Sequence, residues 1–495
     1  MGARSSLRQG LVAVALAALV AVPGCVPVAG GAGGGDPFEG DALRYGVGPD
    51  AAGGAVFQPD VVFVEGGPSA VRAAGGDGMT WVIDAAAPGA GDIEAGRVLF
   101  LTGRAVGRVI QVTHEDGVVS ALLAPVEITE VIQDGEFASD GPVDLERVIA
   151  HEAPDAFWGD SKLNEEAGVV PEFGIPPEVV PAGMAVGRAT PTPPPLPPPA
   201  VSGARRLDTG NFTVGTTCCS DGVGVEFGYD RGGGRIAGKL TLALSSPSAR
   251  FNLKIAGGSV VSAEFLLRGA GGIHAELTAA TAQGSPLNGH SPPLGLNMEF
   301  SVPVDTLLGV PFSVTVTQMA NLRLNVPGGA SATVTGDFKL TGDFGFSYSG
   351  GALVNETGLA FDSNAAMDAS GSIAVGISSI NLDYHVTFRI GIGAFGFTAG
   401  LHTTLSVVVT AVYGAPIGFG VSPDGDPIQQ CKSLQVGGWV GYGVGYTIPK
   451  PVAKLINYFL RAFGTKPIEA SGGPHGARPV YNHVHYHPDV PICRS

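Results

Sequence analysis

Alternation of apolar and polar residues is the strongest pattern in the chain. From Ser331 to Ser349 the even positions are apolar or glycine, and the odd positions are polar apart from Gly345. The same period returns from Ile380 to Ile392. A period of two is that of a β-strand with one buried face and one wet face. Both segments therefore predict long amphipathic strands.

Two interruptions are expected within these strands. At about 3.3 Å per residue, 331–349 would reach roughly 60 Å if unbroken, which is far longer than a typical strand. We expect Gly336 and Gly342 to kink it. Near Ala394 the apolar parity switches, which requires a bulge or a bend. The strand then continues through Phe395, Phe397, Ala399 and Leu401.

Shorter alternating runs predict antiparallel neighbours for the long strands. They fall at 236–244, 251–255, 298–304, 312–316 and 322–326. Together with the long segments they predict one large antiparallel β domain over residues 205–448.

The chain before this domain predicts a smaller β unit over residues 55–152. Short apolar runs separated by Gly and Asp are typical of a small β-barrel or sandwich. Residues 153–204 are rich in proline, with seven prolines between Pro191 and Pro199. Such a stretch favours an extended polyproline linker, because proline fixes the backbone near that conformation.

One amphipathic helix is predicted after the large domain, within the segment 449–495. Its apolar residues recur at i, i+3, i+4, i+7, i+8 and i+11: Val452, Leu455, Ile456, Phe459, Leu460 and Phe463. Lys450, Lys454, Asn457 and Arg461 share the opposite face. We expect the helix to pack on the apolar face of the sheet, with binding to a membrane surface as the alternative. The fold class is therefore mainly β, with a single C-terminal helix.

Composition and charge narrow the function classes. The chain has 495 residues, with 77 Gly, 38 Pro and only 15% charged residues, against about 25% in an average domain. This balance excludes a long coiled coil. There are 44 acidic side chains against 28 basic ones, a formal charge of −16. Because an acidic surface repels phosphate backbones, no nucleic-acid partner is expected.

The pattern of the N-terminal residues 1–24 predicts an export signal. Arg4 and Arg8 precede twelve apolar residues, Leu11 to Val22, followed by Pro23, Gly24 and Cys25. This run is too short to span a bilayer, which takes about 20 residues. The segment resembles a bacterial lipoprotein signal, and a plain secretory signal is the alternative.

The lipoprotein resemblance implies that Cys25 becomes the lipidated first residue of the mature chain. Residues 25–54 would then be a Gly-rich tether to the membrane. By the same resemblance, Val26 in place of an aspartate implies the outer membrane, on its periplasmic face or at the cell surface.

A second resemblance is local to residues 96–118. Gly-x-Val and Val-Gly-x-Val spacings occur at Gly96-Arg97-Val98 and Val106-Gly107-Arg108-Val109, followed by Gly117-Val118. This spacing resembles that of the small β-barrels of bacterial MCE lipid-transport proteins and of SH3-like barrels. It implies a barrel-like fold for this segment, and no functional residue is carried across.

Four cysteines remain if Cys25 is lipidated, an even number that suits two disulfides in an oxidising compartment. They are Cys218, Cys219, Cys431 and Cys493. Adjacent Cys218 and Cys219 would strain the peptide between them if they paired. We expect bridges from that corner to Cys431 and Cys493, in a pairing that the spacing leaves open.

The C-terminal tail contains His483, His485 and His487. On an extended chain these imidazoles share one face, and a His-x-His pair can offer two nitrogens to one Zn or Cu ion. The alternative is a solvated strand whose imidazoles become charged in mild acid. No cofactor is otherwise expected.

No local catalytic motif occurs in the chain, so a non-enzymatic protein is expected. The first hypothesis is a membrane-anchored lipoprotein that acts as a binding or structural module for a protein partner. The second is a carrier of lipid or another hydrophobic ligand on a curved amphipathic sheet. A weaker third is a component of an outer-membrane β-barrel, whose strands alternate in the same way.

Overall fold

The structure is a computed structural model. It describes residues 42, 45–50, 52–75, 79–144, 149–152, 206–209, 212–218, 222–231, 234–281, 287–288, 298–326, 331–358, 360–368, 378–393, 398–414, 420–421, 427–428, 431–448, 450–462 and 466–487. The predicted signal peptide and proline-rich linker lie outside these ranges. The fold is mainly β, as the alternation predicts.

The described strands lie in two large sheets of eleven and eight strands, a small sheet of six strands and a two-stranded hairpin. Within the described ranges, short 3-10 helices occur at Gly67–Ala70, Ala90–Asp92 and Ile128–Glu130, and the α-helix that we call α1 spans Lys450–Ala462. In chain order the strands are β1 Val56–Phe57, β2 Val61–Val64, β3 Val71–Ala74, β4 Thr80–Asp84, β5 Val98–Leu101, β6 Ala105–Glu115, β7 Val118–Ala124, β8 Ile132–Pro142, β9 Ile149–Glu152, β10 Arg206–Thr209, β11 Phe212–Cys218, β12 Gly222–Arg231, β13 Gly234–Ala256, β14 Ser259–Thr281, β15 Leu287–Asn288, β16 Met298–Leu307, β17 Val310–Val326, β18 Ser331–Thr341, β19 Phe344–Ser349, β20 Ala352–Asn355, β21 Ala360–Asp368, β22 Ser378–Ile392, β23 Ala399–Gly414, β24 Gly420–Val421, β25 Pro427–Ile428, β26 Cys431–Gly445 and β27 His475–His487.

The small sheet has the order β2-β5-β6-β7-β4-β3 and curls around its own core. β2 and β5 are parallel, whereas the other pairs in this sheet are antiparallel. All four residues of β5 are buried, because Leu99 and Leu101 face the core of the small sheet while Val98 and Phe100 face the main core. A strand that is covered on both faces reads as a continuous apolar run rather than as an alternation.

Two antiparallel sheets form the body of the fold. The eleven-stranded sheet contains the path β10-β11-β12-β13-β14-β18-β21, with β1, β8, β19 and β20 paired beside it. The eight-stranded sheet has the order β27-β26-β23-β22-β17-β16-β9, with β15 beside β17. Their apolar faces share one core. The arrangement is a β-sandwich, in which each strand turns alternate residues inward.

The first sequence segment is built into both large sheets. β8 pairs with β13 from Gly135↔Ile255 to Pro142↔Ser248, and β9 pairs with β16. A boundary at residue 152 assigns β8 and β9 to the small domain, but their pairing places them in the body of the sandwich. Alternation indicates a strand without indicating its partner, so the sequence does not reveal this connection.

The predicted tether is shorter than residues 25–54. Tyr45 is buried, and its carbonyl accepts a hydrogen bond from the Thr102 hydroxyl. The Asp50 N–H donates to the Gly309 carbonyl at 2.8 Å. Backbone groups of Tyr45 and Asp50 thus hold this part of the chain against the fold, within the range that the sequence predicts as tether.

The long segment 331–349 forms two strands, with the break at one of the two glycines where a kink is predicted. Gly342 has a φ of +115° and separates β18 from β19. Gly336 instead lies within an uninterrupted ladder, opposite Ala275. The pairing is continuous through Gly336 with both neighbouring strands, so the strand is interrupted at Gly342 and not at Gly336.

The parity switch near Ala394 is a chain reversal rather than a bulge in one strand. β22 ends at Ile392, and β23 begins at Ala399, which lies directly opposite. Residues opposite each other in an antiparallel pair share a face, so Ile390 and Leu401 both face the core. Phe395 and Phe397 lie outside the described residues.

Aromatic rings fill the space between the two large sheets. Phe312 of the eight-stranded sheet lies 5.1 Å from Phe137 and 5.3 Å from Phe251 of the opposite sheet, between ring centroids. Phe344 and Phe388 are 5.3 Å apart across the same space. All five rings are at most 2% exposed. The rings themselves, rather than a groove, occupy this part of the sandwich.

Helix α1 forms as the periodicity predicts but packs on a different surface. Ala453, Ile456 and Leu460 are buried against a cluster that includes Ile110 and Ala124 of the small sheet. Asn457, which the pattern assigns to the exposed face, holds the Ile468 backbone through both its amide oxygen (2.7 Å) and its amide nitrogen (2.8 Å). The predicted packing on the large sheet is therefore wrong, because the period identifies an apolar face without identifying its partner. None of the helices that the structure describes has the length and apolarity to cross a bilayer.

Candidate functional site

A stripe of polar side chains follows the outer face of the eight-stranded sheet. Tyr384, Val386 and Phe388 of β22 face the core, so the residues between them face outward. This polar stripe comprises Asp383, His385, Thr387 and Arg389 of β22, and His402, Thr404 and Ser406 of β23.

One end of the polar stripe is buried. Arg389 is 3% exposed and donates to the Thr317 hydroxyl at 2.5 Å and to the Thr447 carbonyl at 2.8 Å. His402 lies opposite it and is 4% exposed. Burial, together with the positive charge of Arg389, lowers the pKa of His402 to about 3. His402 is therefore a neutral imidazole in the folded protein at neutral pH.

The other end of the stripe has the connectivity of a nucleophilic triad. His385 Nδ1 lies 2.7 Å from Ser406 Oγ, and His385 Nε2 lies 2.8 Å from Asp383 Oδ1. An acid, an imidazole and a hydroxyl in this order can activate a serine in acyl transfer. The contact between His385 and Asp383 is a close approach rather than a hydrogen bond, because the buried Asp383 Oδ1 has no hydrogen-bond partner within the described residues.

The backbone around Ser406 argues for a structural role instead. β23 is paired on both sides, with His385 opposite Ser406 on β22 and Trp439 opposite it on β26. Its N–H groups are therefore engaged in the ladders, whereas an acyl-transfer site needs N–H groups that are free to hold the oxyanion. The adjacent pair repeats the cross-strand contact without an imidazole, since the Thr387 and Thr404 hydroxyls are 2.9 Å apart. The stripe thus fits a set of cross-strand hydrogen bonds that stabilise the β22–β23 pairing.

The predicted histidine cluster lies on β27, the terminal strand of the eight-stranded sheet. His483 and His485 lie opposite Val436 and Leu434 and share their face. Both imidazoles are exposed, with ring centroids 4.2 Å apart. His487 ends the strand, but its side chain lies outside the described ranges. We call His483 and His485 the histidine pair.

No group of three or more His, Cys, Asp or Glu side chains that could hold a metal occurs in the part of the chain that the structure describes. The two described members of the predicted cluster are thus brought together, without a third ligand beside them.

The structure gives the cysteines only as backbone positions. Cys218 ends β11 in the eleven-stranded sheet, and Cys431 begins β26 in the eight-stranded sheet. Their side chains, and all of Cys25, Cys219 and Cys493, lie outside the described residues. The disulfides and the lipid anchor stay predictions.

Sequence reasoning passed over the polar stripe. Its β22 members are the odd positions of the Ile380–Ile392 segment, which alternation assigns only to a wet face. The available signal was that an acid, an imidazole and a guanidinium, Asp383, His385 and Arg389, recur on one face of a single strand. Arg389 also contacts the Thr447 carbonyl, and a strand pattern does not report such a contact with a distant segment.

Comparison with known families gives two matches. A domain of unknown function, DUF8402, matches residues 193–476, and a domain of unknown function, DUF8403, matches residues 41–134. The first covers more than half of the chain. The second ends within β8, the strand that enters the eleven-stranded sheet. No curated protein and no solved structure matches the chain.

Proposed function

We propose that this chain, which belongs to the DUF8402 family of domains, is a lipid-anchored, extracytoplasmic, non-enzymatic binding or structural module. The observation that carries this proposal is the construction of the N-terminal segment into both large sheets through β8 and β9. Such pairing favours one rigid body over two domains that move about a hinge.

The small sheet is fixed to this body by buried contacts as well as by strands. Phe100 of β5 packs at 5.9 Å from Phe57 of β1, between ring centroids, and β1 pairs with β8 in the eleven-stranded sheet. Arg104, 3% exposed, donates to the Ser301 hydroxyl of β16. Because a buried guanidinium without its partners would be costly, these contacts oppose separation of the small sheet.

The N-terminal signal supplies the location in this proposal. With Cys25 lipidated, the rigid body would begin at Tyr45, about 20 residues from the membrane. The acidic surface, with 44 acidic against 28 basic side chains, favours a protein or cationic partner over nucleic acid.

The packing between the sheets supports the module over the carrier of a hydrophobic ligand. A carrier needs an apolar cavity, and ligand pockets typically measure 300 Å³ or more. Here the rings of Phe312, Phe344 and their neighbours occupy the described space between the sheets. Helix α1 packs in a separate apolar cluster with residues of the small sheet and does not belong to the core between the two large sheets.

Membrane fractionation of the bacterium that expresses the full chain tests the anchor. Wild-type protein should partition with the membrane and carry the added mass of acyl chains at its N-terminus. Cys25→Ala should lose both properties, whereas Val26→Ala should keep them. Wild-type protein that is soluble and carries no acyl mass would contradict the anchor.

Native mass spectrometry of the purified protein tests the module against the carrier. We expect the mass of the chain with its anchor and no additional ligand. A stoichiometric co-purified lipid would instead favour the carrier.

A further inference from the structure

The histidine pair is placed where a metal ion could reach it. His483 and His485 lie two residues apart on one face of β27, and both side chains are exposed. β27 is paired through β26 alone and ends the sheet in the described order. The residues opposite the pair, Val436 and Leu434, are apolar and offer no competing hydrogen bond.

The geometry of the two rings suits shared coordination. Their centroids are 4.2 Å apart with planes inclined by 59°. An ion bound at 2.0–2.1 Å from one nitrogen of each ring would set the centroids at about 5 Å. Rotation of the side chains needs to move the ring centroids apart by only about 1 Å to reach that separation, and exposed side chains change rotamer freely.

The chemistry of the donors selects the class of ion. Neutral imidazole nitrogen is a borderline ligand that suits Cu²⁺, Ni²⁺ and Zn²⁺ better than Mg²⁺ or Ca²⁺, which prefer oxygen. For the same nitrogen ligands, Cu²⁺ binds more tightly than Zn²⁺. With two protein ligands described, the remaining coordination positions face solvent.

We propose that the histidine pair is a surface site for a divalent transition-metal ion, Cu²⁺ in preference to Zn²⁺, on the terminal strand of the eight-stranded sheet. The site is independent of the lipid anchor and of the rigid-module proposal, since it needs only the β27 register.

Titration of CuCl₂ and of ZnCl₂ into the full chain, purified in detergent after removal of any affinity tag, tests the proposal. Isothermal calorimetry should show one saturable ion per chain, with the tighter binding for Cu²⁺. His485→Ala interrupts both neighbouring His-x-His spacings. It should weaken Cu²⁺ binding by at least about tenfold, the smallest loss usual for groups that only support a metal ligand.

Two further variants test whether binding depends on the arrangement of the histidine pair or only on the number of histidines in the chain. Val484→His combined with His485→Ala keeps the number of imidazoles but puts neighbours on opposite faces of the strand. This variant should bind as weakly as His485→Ala. His475→Ala, on the same strand but apart from the pair, should bind as wild type does. Val484 is 36% exposed, so its replacement leaves the fold intact, as unchanged circular dichroism would verify.

Three results would overturn the proposal. The first is wild-type protein that shows no saturable heat with either ion. The second is tight binding by the Val484→His, His485→Ala variant, which would remove the requirement for a shared face. The third is an equal loss in His475→Ala, which would place the ion elsewhere.

Discussion

Replacement of Phe312 by alanine should destabilise the whole sandwich. The side chain is 2% exposed and touches Phe137 and Phe251, which come from two different strands of the opposite sheet. Phe137 lies on β8, so the cavity would open between the N-terminal segment and the body. The variant therefore tests both the filled interior and the joining of the two segments.

The expected loss is about 4–5 kcal/mol in the free energy of unfolding. Burial and the cavity account for about 3–5 kcal/mol in a Phe→Ala change. The upper part of that range applies because two ring pairs are lost together, and each contributes about 0.5–1.5 kcal/mol in addition to the burial of its apolar surface. Phe312→Leu keeps most of the apolar volume and should lose about 1.5 kcal/mol.

Equilibrium unfolding in urea, followed by far-ultraviolet circular dichroism and by tryptophan fluorescence, measures this loss. Trp81 lies in the small sheet and Trp439 in the eight-stranded sheet, so fluorescence reports on both parts. If the two parts form one rigid body, circular dichroism and fluorescence should show the same transition. Val354→Ala, at a position 50% exposed, should change stability by less than about 0.5 kcal/mol. A loss below about 1 kcal/mol for Phe312→Ala, or two separate transitions, would refute the reasoning.

Three further outcomes are expected. Because burial lowers the pKa of His402 to about 3 from the usual 6.5, the unfolded chain takes up a proton below pH 6.5 that the folded chain does not. Stability should therefore fall by up to about 1.4 kcal/mol per pH unit down to the folded pKa, and His402→Asn should flatten this slope in urea titrations on either side of pH 6.5. Gly351→Ala, at φ +84° with open space around it, should cost about 1 kcal/mol. Gly309→Ala has a similar φ but its Cβ would overlap a backbone carbonyl, so it should lower the melting temperature further, and equal losses would contradict the packing. Ser406 should resist a fluorophosphonate probe as Thr404 does, and labelling that disappears in Ser406→Ala would contradict its structural role.

The sequence predicted where strands form and which way their side chains face, but not which elements pack together. Alternation over 331–349 and 380–392 predicted strands and the orientation of their faces, because the period of side-chain direction is a local property. The break at Gly342 followed from strand length. The partner of β8 and the surface under α1 did not follow, since pairing and docking join residues far apart in sequence.

The candidate sites show the same division. The shared face of His483 and His485 followed from their spacing, because it depends only on an extended backbone. The position of β27 at the end of a sheet did not, and neither did the contacts of Arg389 and His402. Those contacts depend on how β22, β23 and the segment near Thr447 come together.

The pairing of β8 with β13 has a consequence for the order in which the chain can fold. Gly135 meets Ile255, and Ile149 of β9 meets Ser301, so strands made early wait for partners more than a hundred residues later. Such distant contacts slow folding and leave strand edges exposed meanwhile. A chain of this topology can complete its sandwich only after most of it has been synthesised, so β8 stays an unpaired edge until β13 follows it.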